Sequence, residues 1–326
     1  MFYVETGSYD PCYNLAFEEY LLTHKKDGDW LMLWQNENTV VVGLNQNTAE
    51  EINAEFVKAN GITVVRRTTG GGAVYHDLGN LNYSFITDAE NAEEISIERF
   101  SRPVCEALAQ LGVTASVSGR NDILIDGKKV SGVAQRVYKG RILHHGTLLF
   151  KSDACKISGS LKVDPAKFES KSSKSVRSRV GNISDFLPVK MTTEQFKAEL
   201  LKQLCGVGTE TYYPSAEELS EINQTANDKY RSDEWTYGRN PAYSFRNKRR
   251  FPGGTIEVKL DIDGGIIKSA HFSGDFMAVA PCDELESALQ GTALNRENIT
   301  DILMRYDISA MFGSIRADEI EETIFS

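Results

Sequence analysis

Between residues 31 and 65 the chain carries three short apolar runs, LMLW (31–34), TVVVG (39–43) and ITVV (62–65). Each is too brief for a helix and apolar almost throughout, so all three are expected as buried strands. Helices are expected around them. Asp10-Pro11 reads as an N-cap and a first-turn proline, with Leu15, Tyr20, Leu21 and Leu22 on the apolar side of a helix ending near His24. A second helix is expected within 96–111, where Ile97, Phe100, Val104, Leu108 and Leu111 recur at helical steps and Gly112 is the stop. Pro103 should kink that helix or mark its true first turn.

The 326 residues suit one large domain or two, and 41% hydrophobic with 25% charged is ordinary globular composition. A formal net charge of -10 argues against nucleic acid and anionic membrane as partners, because an acidic surface repels polyanions. No apolar run approaches the ~20 residues of a membrane helix, and no basic-then-apolar signal segment is read at the start. Five widely spaced cysteines with no Cys-x-x-Cys pair argue against a disulfide framework or a zinc site. A soluble cytoplasmic protein is expected.

Further along, NDILIDGKKVSG (121–132) has the form of a hairpin turning at Asp126-Gly127, and HHGTLLF (144–150) reads as another strand. The stretch 167–179, KFESKSSKSVRSR, is polar and basic and reads as a long mobile loop. Phe196, Leu200 and Leu204 mark a helix closed by Gly206. A domain boundary is expected near RNKRRFPGG (246–254), giving parts 1–245 and 246–326. Past it, Ile256, Val258, Leu260 and Ile262 alternate with Glu257, Lys259 and Asp261, and Gly264-Gly265 turns into a second strand at 266–272. Asp283 with Glu286 suggests a capping box, and Ile299, Ile302, Leu303 and Tyr306 a later helix, so the tail reads as a small α+β domain.

The chemistry concentrates in RRTTGGGAVYHD (66–77). Three glycines let backbone N–H groups approach a ligand closely, and Arg66 and Arg67 present forks that match phosphate or carboxylate. The run lacks both the Gly-Lys-Ser/Thr ending of a P-loop and the dinucleotide glycine spacing. It serves as a flexible turn or as an anion site, and the arginines with His76-Asp77 favour the anion site.

In the hairpin, a two-residue turn pairs Ile125 with Lys128 and Leu124 with Lys129, so Asp122, Leu124, Lys129 and Ser131 should share one face. If one lysine serves a site, this geometry picks Lys129; the alternative is a solvated surface lysine. His144 and His145, at a strand entrance, point to opposite faces and cannot bind one metal together. One can face a pocket while the other packs. Cys155 is a nucleophile candidate beside them or simply a small hydrophobe. No Gly-x-Ser-x-Gly elbow supports serine catalysis.

Together these segments resemble the lipoate–protein ligase family. RRTTGGGAVYHDLGN resembles its arginine, triple-glycine and His-Asp motif, and SGRNDILIDGKKVSG its catalytic-lysine segment, in which the lysine precedes Val-Ser-Gly, here Lys129. HHGTLLF, SVRSRVGNI and YNLAFEEYLL are similar to further family stretches. Leu44 stands in VVVGLNQN where some members carry a basic residue, which puts a cationic contact there in doubt. The resemblance implies an α+β (mixed α/β) fold: a biotin/lipoyl protein ligase-like catalytic domain with mixed sheets flanked by helices, then the small C-terminal α+β domain. It implies that lipoate and ATP give lipoyl-AMP, whose acyl group passes to a lysine of an acceptor domain. The acceptors implied are E2 subunits of 2-oxoacid dehydrogenases and the glycine cleavage H protein.

Lys129 is the implied catalytic residue. Nucleotide and substrate contacts are implied at Arg67, at Gly71, Gly72, Ala73, Val74 and Tyr75, and at His76, Asp77, Asn80, Ser131 and His145. Val74, the Trp34 region and Ala134 would wall the dithiolane tail, Asp122 would help to hold Mg2+, and the basic loop 171–179 would close over the adenylate. The rival readings are an octanoyl or lipoyl transferase working through a Cys155 thioester and a non-catalytic lipoate-binding module.

Overall fold

A computed structural model describes residues 1–89, 96–119, 121–162, 179–206, 208–238 and 243–325. The basic loop expected at 167–179 lies outside them except for Arg179. The chain forms two compact units, one of Met1–Val41, Ile52–Val65 and Val74–Ser232, the other of Val42–Glu51, Arg66–Ala73 and Asp233–Ser326.

The first unit is built on an eight-stranded sheet. Its strands are β1 (Phe2–Val4), β2 (Trp30–Trp34), β6 (Asn80–Asp88), β7 (Ser116–Ser118), β8 (Asp122–Ile125), β9 (Lys128–Tyr138), β10 (Arg141–Leu149) and β11 (Glu210–Thr211). Their order is β11-β1-β2-β6-β10-β9-β8-β7. β1 runs parallel to β2 and to β11 while the β2–β6, β6–β10 and β10–β9 pairs are antiparallel, so the sheet is mixed as expected. The helix Pro11–His24 joins β1 to β2, capped by the Asp10 side chain on the Cys12 N–H, with Pro11 in its first turn. A parallel pair needs such a crossover.

Alternation along the strands sorts the two faces. On one, Leu31, Leu33, Leu81, Tyr83, Val133 and Leu148 form a core with Val104 and Leu108 of the helix Ile97–Gln110 and Phe196 and Leu200 of the helix Thr193–Leu204. The other face is also buried but polar: Asn80, Asn82 and Ser84 of β6 are at most 2% exposed. Burying a polar atom without a partner costs about 1–3 kcal/mol, and among the described residues Asn80 Oδ1 and Asn82 Nδ2 are such atoms. Pro103 lies in the middle of the helix Ile97–Gln110, whose cap is Ser96, and not in its first turn. β3 (Thr39–Val42), β4 (Thr63–Arg66) and β5 (Val74–His76) form a small sheet in the order β4-β3-β5.

The second unit folds around an antiparallel sheet of β12 (Phe245–Phe251), β13 (Gly254–Asp263) and β14 (Ile266–Gly274). Ile256, Val258 and Leu260 pack with Phe272, Leu285 and Ile299 in its core. RNKRRFPGG, the stretch near which a domain boundary is expected, forms the edge strand β12 and its turn. Its basic residues fit there because an edge strand is half solvated and charge guards it against wrong pairing. The expected capping box does not form. The helix Asp283–Leu289 starts after Cys282 with no side-chain cap, and Glu286 Oε1 accepts the Phe272 N–H at 2.8 Å. The later helix forms at Arg296–Leu303. Among the described residues no helix is long and apolar enough to cross a membrane.

Candidate active site

Asp126 and Gly127 both take left-handed backbone (φ 48° and 76°), the two-residue turn whose twist suits a hairpin. Leu124 then pairs with Lys129 and Ile125 with Lys128, as expected. The Lys129 ammonium reaches Asp122 Oδ1 at 2.7 Å, and both side chains are about one-third exposed. Gly132 lies beneath it: a Cβ there would sit 3.1 Å from Lys129 Nζ. Ser131 departs from the expected face. A bulge leaves Val130 as the extra residue and pairs Ser131 with Ile123, so Val130 and Ser131 are both fully buried beside the core.

The buried polar face of the sheet runs on from Gly132. His145 and Ala134 pair across β10 and β9, His145 and Ser84 across β10 and β6, and Asn82 pairs with both Thr147 and Trp34. Over this face the opening helix contributes Glu18, 2% exposed, whose Oε1 lies 2.9 Å from His145 Nδ1 and accepts from Ser84 Oγ at 2.5 Å. Ser84 Oγ in turn accepts the Trp34 indole N–H at 2.9 Å. Glu18 and Ser84 are functional candidates that the sequence reading missed. Asn14, one turn before Glu18, is fully buried on the same side of the helix, a placement that only the tertiary structure reveals.

The two histidines do take opposite faces, but from mid-strand rather than from its entrance. His144 stacks on Phe100 (centroids 5.0 Å apart) and its Nδ1 lies 3.0 Å from Gln135 Nε2. Burial, with His145 adding to it, pushes its pKa down from 6.5 to about 3. The contribution of His144 to stability is therefore constant above pH 6.5 and falls toward pH 3, where the unfolded chain binds a proton there that the folded one refuses. The slope approaches ~1.4 kcal/mol per pH unit. Urea midpoints of a His144→Gln protein are expected to decline less steeply than wild type as pH drops below 6.5.

In the small sheet, Val74 and Tyr75 pair with Val41 and Val40, and Tyr75 OH donates to Asn38 Oδ1 at 2.8 Å. His76 is buried with Nδ1 3.1 Å from Asn36 Nδ2. Asp77 is a tie between loops: one oxygen accepts the Gly79 N–H (2.9 Å), the other the Asp153 N–H (2.8 Å). Asn80 Nδ2 donates to Asn82 Oδ1 at 2.8 Å. Cys155 is exposed at the start of the helix Ala154–Ser160, whereas His144 is fully buried against Phe100 and His145 Nδ1 meets buried Glu18.

The glycine run belongs to the second unit. Gly71 is left-handed (φ +86°) and donates its N–H to Phe276 O at 3.0 Å, and a Cβ on Gly70 would sit 2.7 Å from Ala278 N. Arg67 folds over the run, donating to Thr69 Oγ1 (2.9 Å), Gly70 O (2.6 Å) and Gly72 O (2.8 Å). Arg66 is fully buried and donates to the carbonyls of Gly43, Leu44 and Gln46 and to Thr48 Oγ1, so it fastens Val42–Glu51 to the run. Gly72, Ala73 and Val74 remain half-buried. Among the described residues no cluster of three or more His, Cys, Asp and Glu is arranged to hold a metal ion.

Residues 10–205 match the Lipoyl protein ligase A/B catalytic domain, and residues 240–324 the Bacterial lipoate protein ligase C-terminus. The chain is 44% identical over 321 residues to the lipoate-protein ligase LplJ of Bacillus subtilis, covering 97% of each. In fold it is similar to P. falciparum LipL1 solved with lipoate (TM-score 0.82, 24% identity, 98% of each chain). It is also similar to a lipoate-protein ligase A bound with ATP (TM-score 0.61, 26% identity, 73% of this chain and 97% of that one).

Proposed function

The chain belongs to the lipoate–protein ligase family, and on that premise we propose how its residues divide the work of an ATP-dependent, AMP-forming ligase. The reaction has two halves: lipoate and ATP give lipoyl-AMP and pyrophosphate, and a lysine amine of an acceptor protein then takes the lipoyl group. The observation that carries our division is the Lys129 ammonium, laid over Gly132 beside a buried polar sheet face with Asp122 at 2.7 Å.

Lys129 supplies the positive charge that offsets repulsion between the attacking carboxylate and the α-phosphate, and that steadies charge as it develops. The backbone of Gly71, Gly72 and Ala73 wraps the adenylate, followed by Val74 and Tyr75, while Arg67 braces the glycine run by its carbonyls. His76, Asp77 and Asn80 hold the following turn in shape, and Ser131 steadies the lysine strand from the core side. The acyl tail lies on the face bearing Trp34, Ala134 and His145. Catalysis belongs to 1–245, and 246–326 is an accessory part.

Magnesium fits as an ion carried mainly by the nucleotide phosphates. A lone partly exposed carboxylate, Asp122, suits one place in an oxygen shell completed by phosphate and water. Bound there, the ion would screen phosphate charge. The acceptors are E2 subunits of 2-oxoacid dehydrogenases and the glycine cleavage H protein, and the setting is the cytoplasm.

The test uses the Cys155→Ser protein with free lipoate, ATP, magnesium and an apo-acceptor. Pyrophosphate release and acceptor modification are expected at wild-type rates, and chelating the magnesium should stop both. Loss of activity in Cys155→Ser together with survival in Lys129→Ala would hand the reaction to a thioester transferase.

A further inference from the structure

Asn82 on β6 is 2% exposed, and its amide is only half used. Oδ1 accepts from Asn80 Nδ2 at 2.8 Å, which fixes the amide's orientation, whereas Nδ2 has no partner among the described residues. A stranded donor in a dry site is costly, so it marks a place where a ligand atom or a displaceable water completes the bond. Its surroundings say which ligand. Trp34 and Thr147 are its direct cross-strand partners on β2 and β10, and Thr147 Oγ1 in turn accepts the Gly132 N–H at 3.1 Å. Lys129 Nζ sits over Gly132. A single transverse row thus runs from the ammonium through Thr147 to Asn82 and ends at the Trp34 ring.

Two strand spacings, roughly 10 Å, separate Gly132 from Asn82. Lipoate places its carboxylate and its ring sulfurs at opposite ends of a methylene chain of comparable length. With the carboxyl end at Lys129, the dithiolane reaches the amide and the indole. Sulfur is a weak acceptor that also packs well against an aromatic ring. Resting on the tail placement given under Proposed function, we propose that Asn82 determines acyl specificity: its Nδ2–H donates to a dithiolane sulfur and favours lipoate over octanoate. Octanoate expels the water from this place but offers only C–H groups, so it strands the donor. A site that hydrogen-bonds its substrate rejects the analogue lacking the acceptor.

The experiment measures kcat/KM for pyrophosphate release with lipoate and with octanoate in wild type, Asn82→Leu and Asn82→Ala. The lipoate-to-octanoate ratio is expected to fall roughly tenfold in both variants, because octanoate is relieved of the stranded donor. An unchanged ratio, including an equal fall with both acids, would overturn the assignment, since a purely structural asparagine moves both alike. An Ala134→Trp protein separates the two levels of the argument by filling the same face. Its lipoate KM is expected to rise steeply. A wild-type KM in Ala134→Trp would overturn the tail placement and the specificity claim together, whereas a raised KM beside an unchanged Asn82 ratio would overturn the specificity claim alone.

Discussion

Lys129→Ala is expected to release pyrophosphate about 10²–10³-fold more slowly than wild type, the usual loss when one preorganised charge-stabilising donor is removed. Stability should barely move. The side chain is about one-third exposed and pairs with Asp122, also partly solvated. Screened pairs of this kind contribute well under ~1 kcal/mol. Lys129→Arg should not restore the rate. The guanidinium is a broad planar fork, and Gly132 offers its floor only because a Cβ there would come within 3.1 Å of the ammonium. Measuring lipoate-dependent pyrophosphate release beside a thermal melt separates chemistry from folding. Adenylation at full rate by a folded Lys129→Ala protein would refute the role.

This prediction was open to sequence reasoning because a two-residue Asp-Gly turn fixes register, and register fixes which side chains meet. Asp122 and Lys129 were expected on one face and are ion-paired there. The bulge at Val130 was not legible: no glycine marks it, and it moves Ser131 from the lysine's face to the core. Strands announced themselves wherever β-branched residues ran together, as in TVVV of β3. RNKRRF, read only as the place of a boundary, hid its strand because an edge tolerates charges that a buried strand does not. Glu18 was hidden differently. It sits among Leu15, Phe17, Leu21 and Leu22, where a glutamate reads as a solvated helix residue, and its contacts with His145 and Ser84 show that it faces inward. Tertiary partners decide such positions, and a single sequence does not display them.

The glycine run yields the second large effect, at a residue outside it. Gly43→Ala would bring a methyl group to 2.1 Å from Gly71 O and 3.2 Å from Arg67 Nη2. A flexible side chain would swing away; a backbone carbonyl does so only if its loop moves. That loop is held on three sides, by Phe276 O on the Gly71 N–H, by Arg67 on the carbonyls of Gly70 and Gly72, and by the Leu44 N–H on Thr69 O. Gly43 cannot retreat easily either, since its N–H donates to Gln46 Oε1 and its carbonyl accepts from Arg66. Overpacking of this kind costs about 1–3 kcal/mol or more, so a clear drop in melting temperature is expected. Because the displaced atoms belong to the proposed adenylate loop, the KM for ATP should rise with it. Gly72→Ala is the matched comparison: a Cβ there meets nothing within 4 Å, so its melting temperature should stay close to wild type. If Gly43→Ala melts like Gly72→Ala and keeps its ATP KM, the run is looser than its contacts imply and does not owe its shape to Gly43.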